Sequence, residues 1–371
     1  MTYHPRVTLN PENPNSVRPN SSEASNSSRS PSGSSLRRGA VSIKDVANAA
    51  GVSIATVSRV LNTPNLVASS TAERVQSVVK SLGYRPNLFA KGLMTRKSRV
   101  LGVSIPEWQG DSFSDVMRGA DAQASKLGYH LLVTANAHRS GEAQLPPTFA
   151  LDLIDGLIAM VTKDAVHDLD SLRALDMPVV VLGSSVEGTE FDALVLDNGA
   201  GTREAVEHLL EATPADRCHF VGGPPGNTDS DQRCRAFVDT LAAAGHTARG
   251  DQISRGTFGF DWGWDWAASM HRAGRLRGAG VFAGNDEIAV GVAYRAREEG
   301  LRVPDDLRLI GFDDSRYCAF VTPSLTSVRV PSRQIGAEAV STLVRRLNEP
   351  DAALHQSVLR TSLVVRESSH W

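Results

Sequence analysis

Between Ser42 and Asn62 the chain reads SIKDVANAAGVSIATVSRVLN, and several of these side chains are of the kinds that read DNA. Arg59 carries a planar fork of donors that can reach guanine O6 and N7 with two bonds. Ile54 and Ala55 can meet base edges or a thymine methyl only through apolar contact, and Lys44 can neutralise phosphate. Ser42, Ser53, Thr56, Ser58 and Asn62 place short hydroxyl and amide groups beside them. A second constellation is scattered along the rest of the chain: Asp111, Phe113, Arg233, Phe258, Asn285 and Asp313. An arginine fork, carboxylate acceptors, an amide and aromatic faces suit a polyol, whose hydroxyls donate and accept while its C–H faces stack on rings.

The first set needs two short helices to present it. Ser42, with Asp45 three residues on, can cap a helix over Ile43 to Ala50; Ser53 can cap a second over Ile54 to Asn62; Gly51 gives the bend its backbone freedom. Val46, Ala49, Val52, Val57, Val60 and Leu61 are expected to pack inward, leaving Ile54, Ala55, Ser58 and Arg59 outside. A third helix is expected over Thr71 to Leu82, with Val75, Val78, Val79 and Leu82 on one face, Ser69 or Ser70 as its cap and Gly83 ending it. A helix pair alone also occurs in many all-α domains, so geometry by itself leaves the reading open.

The second set needs strands. From Arg99 apolar runs alternate with helical stretches, with strands expected at Val100 to Ile105, Tyr129 to Thr134, Gly156 to Val161, Pro178 to Gly183, Ala193 to Asp197, Arg217 to Gly222, Gly280 to Ala283 and Leu307 to Phe312, and another at Ile253. Such alternation implies parallel sheets covered by helices on both faces, in two subdomains because the strands are too many for one sheet. Ligands in open α/β sheets bind beyond the carboxyl ends of the strands, where Asp111, Phe113, Arg233, Phe258, Asn285-Asp286 and Asp313-Asp314 fall. Each has a plainer alternative: Asp313 could cap a helix, and Arg233 could pair with a surface acid.

The string IKDVANAAGVSIATVSRVLN, followed by LGYRPN, closely resembles the start of lactose-repressor-family transcription factors, and the resemblance runs from Ser42 to Ser369. It implies an α/β protein with an all-α helix-turn-helix head and a periplasmic-binding-protein-like body of two doubly wound parallel-sheet subdomains. The expected divisions are a disordered arm over 1–40, the head over 41–85, a hinge helix or linker over 86–98, and an effector-binding and dimerisation domain over 99–371 with crossings near 198, 327 and 355. The resemblance also adds Tyr84, Asn87, Ala90 and Leu93 to the DNA-binding set, Leu93 as the minor-groove wedge of the hinge. It aligns Arg233, Phe258, Asn285 and Asp313 with effector contacts. The implied partners are a palindromic double-stranded operator, a sugar or related polyol as effector, and a second copy in a homodimer; no cofactor or metal is implied. Departures from the family pattern are Ala68 where a capping Ser is usual, Gly183-Ser184-Ser185 where an Arg often follows the strand, Gly110-Asp111-Ser112-Phe113 for Asn-Pro-Phe-Phe, and the N-terminal arm itself.

Charge is distributed in the same sense. The whole chain sums to −2, yet Val41 to Arg99 holds nine basic residues against two acidic ones, and 1–40 adds +3, which leaves −12 from Val100 onward. A basic head meeting phosphate and an acidic body apart from it is the expected arrangement. Met1 to Ala40, rich in Ser, Asn and Pro, lacks the apolar residues to fold and any leader-like segment, so a cytoplasmic protein is expected, and nothing is long enough to span a membrane. Cys218, Cys234 and Cys318 have no metal-ligand spacing and read as small buried side chains. No nucleophile elbow, phosphate loop or metal cluster supports an enzyme, and the basic head argues against a pure sugar receptor.

Overall fold

The structure, a computed structural model, describes residues 41–84, 97–105, 112–135, 153–161, 165–183 and 190–370. The chain divides into two compact units, Met1–Pro86 and Asn87–Trp371.

In the first unit, α1 (Ile43–Ala50), α2 (Ile54–Asn62) and α3 (Ser69–Leu82) enclose Val46, Ala47, Ala50, Val57, Val60, Ala72 and Val75. Ala49 is exposed where it is expected inside, and Ala47 takes its place. At about 100° per residue, Val46, Ala50 and Ala47 share an arc that excludes Ala49. Leu82 is exposed as well, one turn beyond the last contact of α3 with the core. Neither Ser69 nor Ser70 caps α3: the helix starts at Ser69, its N-cap is Ala68 with no side-chain bond, and the Ala68 carbonyl accepts directly from the Thr71 and Ala72 N–H groups.

The second unit holds two six-stranded sheets among the described residues. The first contains β1 (Val100–Ile105), β2 (His130–Ala135), β3 (Gly156–Met160), β4 (Val179–Gly183), β5 (Asp192–Asp197) and β11 (Gln356–Arg360), in the order β11-β5-β4-β3-β1-β2, all parallel. The second contains β6 (Cys218–Gly222), β7 (Ile253–Arg255), β8 (Gly280–Ala283), β9 (Arg308–Asp313), β10 (Thr326–Arg329) and β12 (Ser362–Val364), in the order β12-β10-β9-β8-β6-β7. Only β12 runs antiparallel to its neighbour. One residue, Thr361, separates it from β11, so no crossover helix turns the chain round before it pairs.

Helices cover both faces, which is why the strands read as unbroken apolar runs. On the first sheet, α4 (Ser112–Leu127) and α10 (Ser332–Asn348) enclose Leu101, Val103, Ile105 and Ile158, while α5 (Ala165–Arg173) covers Leu157, Val179 and Val181. On the second, α6 (Asn198–Leu210) and α7 (Thr228–Ala243) cover Phe220, Phe282 and Phe312, and α8 (Phe260–Arg272) with α9 (Asp286–Glu298) covers Val281 and Leu309. Phe260, Trp262, Trp264 and Trp266, an alternating run in the sequence, lie on the helix α8 and so diverge. The Trp266 ring N–H donates to Ser254 and that of Trp262 to the Gly222 carbonyl, which makes them packing residues. The chain leaves the first sheet after Asp197, returns after Arg329 and crosses again at Thr361. The last two points lie beyond the 327 and 355 read from the sequence.

In each sheet the order reverses at one strand, β1 in the first and β6 in the second, and carboxyl ends beside such reversals leave a crevice.

Candidate nucleic-acid interface and ligand cleft

The head presents its polar face through two caps. Ser42 Oγ accepts from the Asp45 N–H while the Asp45 carboxylate accepts from Ser42, a closed capping box. Those bonds hold the Asp45 carboxyl below its ordinary range. Gly51 sits at φ 64°, in the left-handed region glycine tolerates. Ser53 then accepts from the Thr56 N–H and shares a 2.9 Å bond with the Thr56 hydroxyl. Beyond these caps Lys44, Ala55 and Arg59 are exposed, Ser58 is half-buried, and Ile54, a large aliphatic residue, is 47% exposed. Tyr84 is half-buried against the head core. The side chain of Asn62, together with Asn87, Ala90, Leu93 and the whole 1–40 arm, lies outside the described residues.

In the second unit Arg233 is buried on α7, its Nε donating to Asn198 Oδ1 at 2.9 Å and its Nη1 to the Gly284 carbonyl at 2.6 Å. Its guanidinium lies 3.6 Å from the Phe312 ring centroid, and Nη2 stands 4.0 Å from Asp313 Oδ1. Asp313 ends β9 at φ 110°, a backbone conformation unusual for a side-chain-bearing residue and one that sites must enforce. Burial pushes its carboxyl up to about 8, with Arg233 pulling the other way. Asp314 turns elsewhere, pairing with Arg329 at 2.7 Å and Arg366 at 2.5 Å, so the adjacent acids do not act as a carboxylate pair. Asp286, buried under Ser315 and Ser327 donors, has its carboxyl raised to about 6 by burial.

Arg233, Asp313 and Phe113 line one cleft of about 150 Å³ between the two sheets. Its second-subdomain wall is polar, with Asp229 beside Arg233, while the first-subdomain wall is apolar, with Met160, Leu182, Leu196 and Ile335. Phe258 and Asn285 are joined to each other but do not line it. Asn285 caps α9 through Ile288 N–H and donates to the Phe258 carbonyl, and Phe258 packs on Gly223 and the core. Asp111 lies outside the described residues. Two cleft features escape a sequence reading. Asn198 ties Asp229, Gln232 and Arg233 together through bonds of 2.8 to 3.1 Å, and the apolar wall comes from four separate elements. No local pattern marks either.

A helix-turn-helix in one unit and a binding-protein-like cleft in the other describe a DNA-binding regulator that takes a small ligand. Comparisons agree. Residues 42–87 match the profile of bacterial regulatory proteins of the lacI family, and residues 206–369 match that of a periplasmic binding protein-like domain. Catabolite control protein A of Priestia megaterium is 31% identical over 83% of this chain and 93% of its own length. The ribose operon repressor of Halalkalibacterium halodurans is 30% identical over 88% and 96%. The crystal structure of the lac repressor dimer bound to operator and the anti-inducer ONPF has a TM-score of 0.80 at 26% identity, over 89% of this chain and 99% of that one. The transcriptional regulator CelR–cellobiose complex has a TM-score of 0.65 at 27% identity, over 88% and 99%. The chain belongs to the lacI family of bacterial regulatory proteins: it is a DNA-binding transcriptional regulator and not an enzyme. Among the described residues no helix is long and apolar enough to cross a membrane.

Proposed function

We propose that this chain is a repressor that binds a palindromic operator as a homodimer and changes its operator affinity when a sugar or related polyol enters the cleft. The carrying observation is the placement of Arg233, Asp313 and Asp229 on one wall of a cleft whose other wall is apolar, the division of surface that a sugar's hydroxyl edge and C–H face require. Relatives support the reading: one was solved as a dimer on operator, another with cellobiose, and a third is named for a ribose operon. Two-fold symmetry would set one helix-turn-helix on each half-site. The base-reading set is Ile54, Ala55, Ser58 and Arg59, with Ser42, Lys44, Ser53, Thr56, Asn62 and Tyr84 around it, and Asn87, Ala90 and Leu93 acting from the hinge. The effector set is Asp111, Phe113, Arg233, Phe258, Asn285 and Asp313, of which Phe258 and Asn285 act by shaping the second-subdomain wall.

A ligand shifts operator affinity only by binding one arrangement of the subdomains better than another. The test is an operator titration on the gene's own upstream region, repeated across a sugar panel. Retarded DNA whose affinity moves with one sugar supports the reading, and no DNA binding under any condition sinks it.

A further inference from the structure

Asp313, Val330 and Ser332 line two adjoining spaces, the cleft above and a second of about 300 Å³ at its mouth. The second is charged. Arg118 reaches it from α4 of the first subdomain, Arg316 from the loop after β9 of the second, and Arg329 and Arg333 from the segment that crosses between them.

Two of these four cations are already neutralised: Arg329 donates to Asp314 at 2.7 Å, and Arg333 to Asp115 at 3.1 Å. Of the other two, Arg118 shares one carboxylate with Arg333, and Arg316 has none among the described residues. Arg118, half exposed, stands 3.7 Å from Asp115, which Arg333 already holds. Arg316 makes no side-chain hydrogen bond or ion pair among the described residues. The 17-residue helix α10 also begins at this space, and Pro331 at its N-cap offers no side-chain acceptor to the first turn, whose N–H groups favour an anion. Asp313 also lines this space, its carboxyl raised by burial and facing the Arg233 guanidinium at 4.0 Å.

Accepting the cleft as a sugar site, we propose that its mouth is an anion subsite, with Arg118 and Arg316 gripping a phosphate from opposite subdomains, so that the effector is a phosphorylated sugar rather than a neutral one. The sugar would face Arg233 and Asp313, and the phosphate oxygens would accept from both guanidinium forks, drawing the subdomains together. One charged group would thereby favour the closed arrangement directly.

The experiment measures binding by the full chain of glucose, fructose and ribose, each against its own phosphate ester, with inorganic phosphate and gluconate as separate arms. At least one ester should bind tenfold or more tighter than its parent sugar, about 1.4 kcal/mol. In Arg118→Gln/Arg316→Gln that ratio should fall below about threefold, and in the native chain it should shrink as salt rises from about 0.05 to about 0.5 M. Gluconate matching the best ester would replace phosphate by carboxylate and overturn the phosphate assignment. Inorganic phosphate binding as tightly as the best ester would show an adventitious anion site and overturn the proposal. Parent sugars that bind as well as their esters, or an ester advantage that survives both the double variant and high salt, would overturn the subsite and leave the sugar cleft standing. If no sugar, ester or acid binds, both fall.

Discussion

Arg233 commits two donor groups to the protein before any ligand arrives, Nε to Asn198 and Nη1 to the Gly284 carbonyl. Arg233→Ala would therefore leave buried acceptors unpaired and cost stability as well as ligand contact, by about 1 to 3 kcal/mol. Asp313→Asn is the cleaner probe, because no described hydrogen bond depends on its carboxylate. That variant should bind operator normally without ligand and lose the ligand's effect on it; an intact response would place the effector elsewhere. The same substitution has a pH signature. A carboxyl raised in the folded state keeps a proton that the unfolded chain releases above about pH 4, so its contribution to stability falls as pH climbs from there to about 8 and then levels. The melting-temperature advantage of Asp313→Asn over the native chain should grow across that window. An advantage that stays constant with pH would show that this carboxyl is not desolvated. On the head, Arg59→Ala should lose about 1 to 3 kcal/mol mainly at one G·C pair per half-site, while Lys44→Ala weakens all sequences alike. Binding-site selection decides, and an unchanged preference in Arg59→Ala would remove Arg59 from the base-reading set.

At the level of elements, α4 and α10 meet backbone to backbone at two glycines. A Cβ on Gly119 would stand 1.9 Å from the Arg333 carbonyl oxygen, and one on Gly336 would stand 1.9 Å from that of Val116. Backbone cannot yield as a side-chain tip can, so the helices would have to separate. Gly336→Ala should cost about 1 to 3 kcal/mol in denaturant unfolding, whereas Gly250→Ala, which opens into free space, should stay within about 0.5 kcal/mol. Equal effects would mean that α4 and α10 slide apart freely. The junction also bears on the cleft, because Phe113 and Ile335 lie on these helices.

For the molecule as a whole, acid stability should rest partly on Asp192, buried at the start of β5. Arg346 holds it with two bonds of 2.8 and 3.1 Å, Arg345 with one of 3.3 Å, and the His355 N–H donates at 2.7 Å. This clip ties β5 to the end of α10 and the approach to β11, which lie 153 to 163 residues further along the chain. Burial alone would raise its carboxyl, yet the Arg346 and His355 bonds carry it below the ordinary range. A depressed carboxyl contributes stability that is present above the unfolded value of 3.8 and lost as pH falls through the lower folded one. Arg346→Ala should cost about 3 kcal/mol at neutral pH and flatten the fall in stability below about pH 4. Parallel acid-unfolding curves for the variant and the native chain would count against the clip.

The head was legible in sequence because its information is local: a cap, an acid three residues on, a glycine at the bend and a helical period all fall within 21 residues. Even there the misplaced Ala49 and the uncapped start of α3 show that the direction of a helix's buried arc is set by what packs on it. The sheets were legible where both faces are covered, since Val100–Ile105 and Gly280–Ala283 must be apolar throughout. Only tertiary structure placed β10, β11 and β12, whose three- to five-residue runs mix polar and apolar residues and take strand geometry from partners far along the chain. It also left Phe258 and Asn285 outside the cleft's lining and brought Arg118 and Arg316 to one space at its mouth. Local pattern specifies which residues turn inward on an element. Which elements meet, and therefore which charges are left without a partner, is decided by long-range packing that no window of sequence contains.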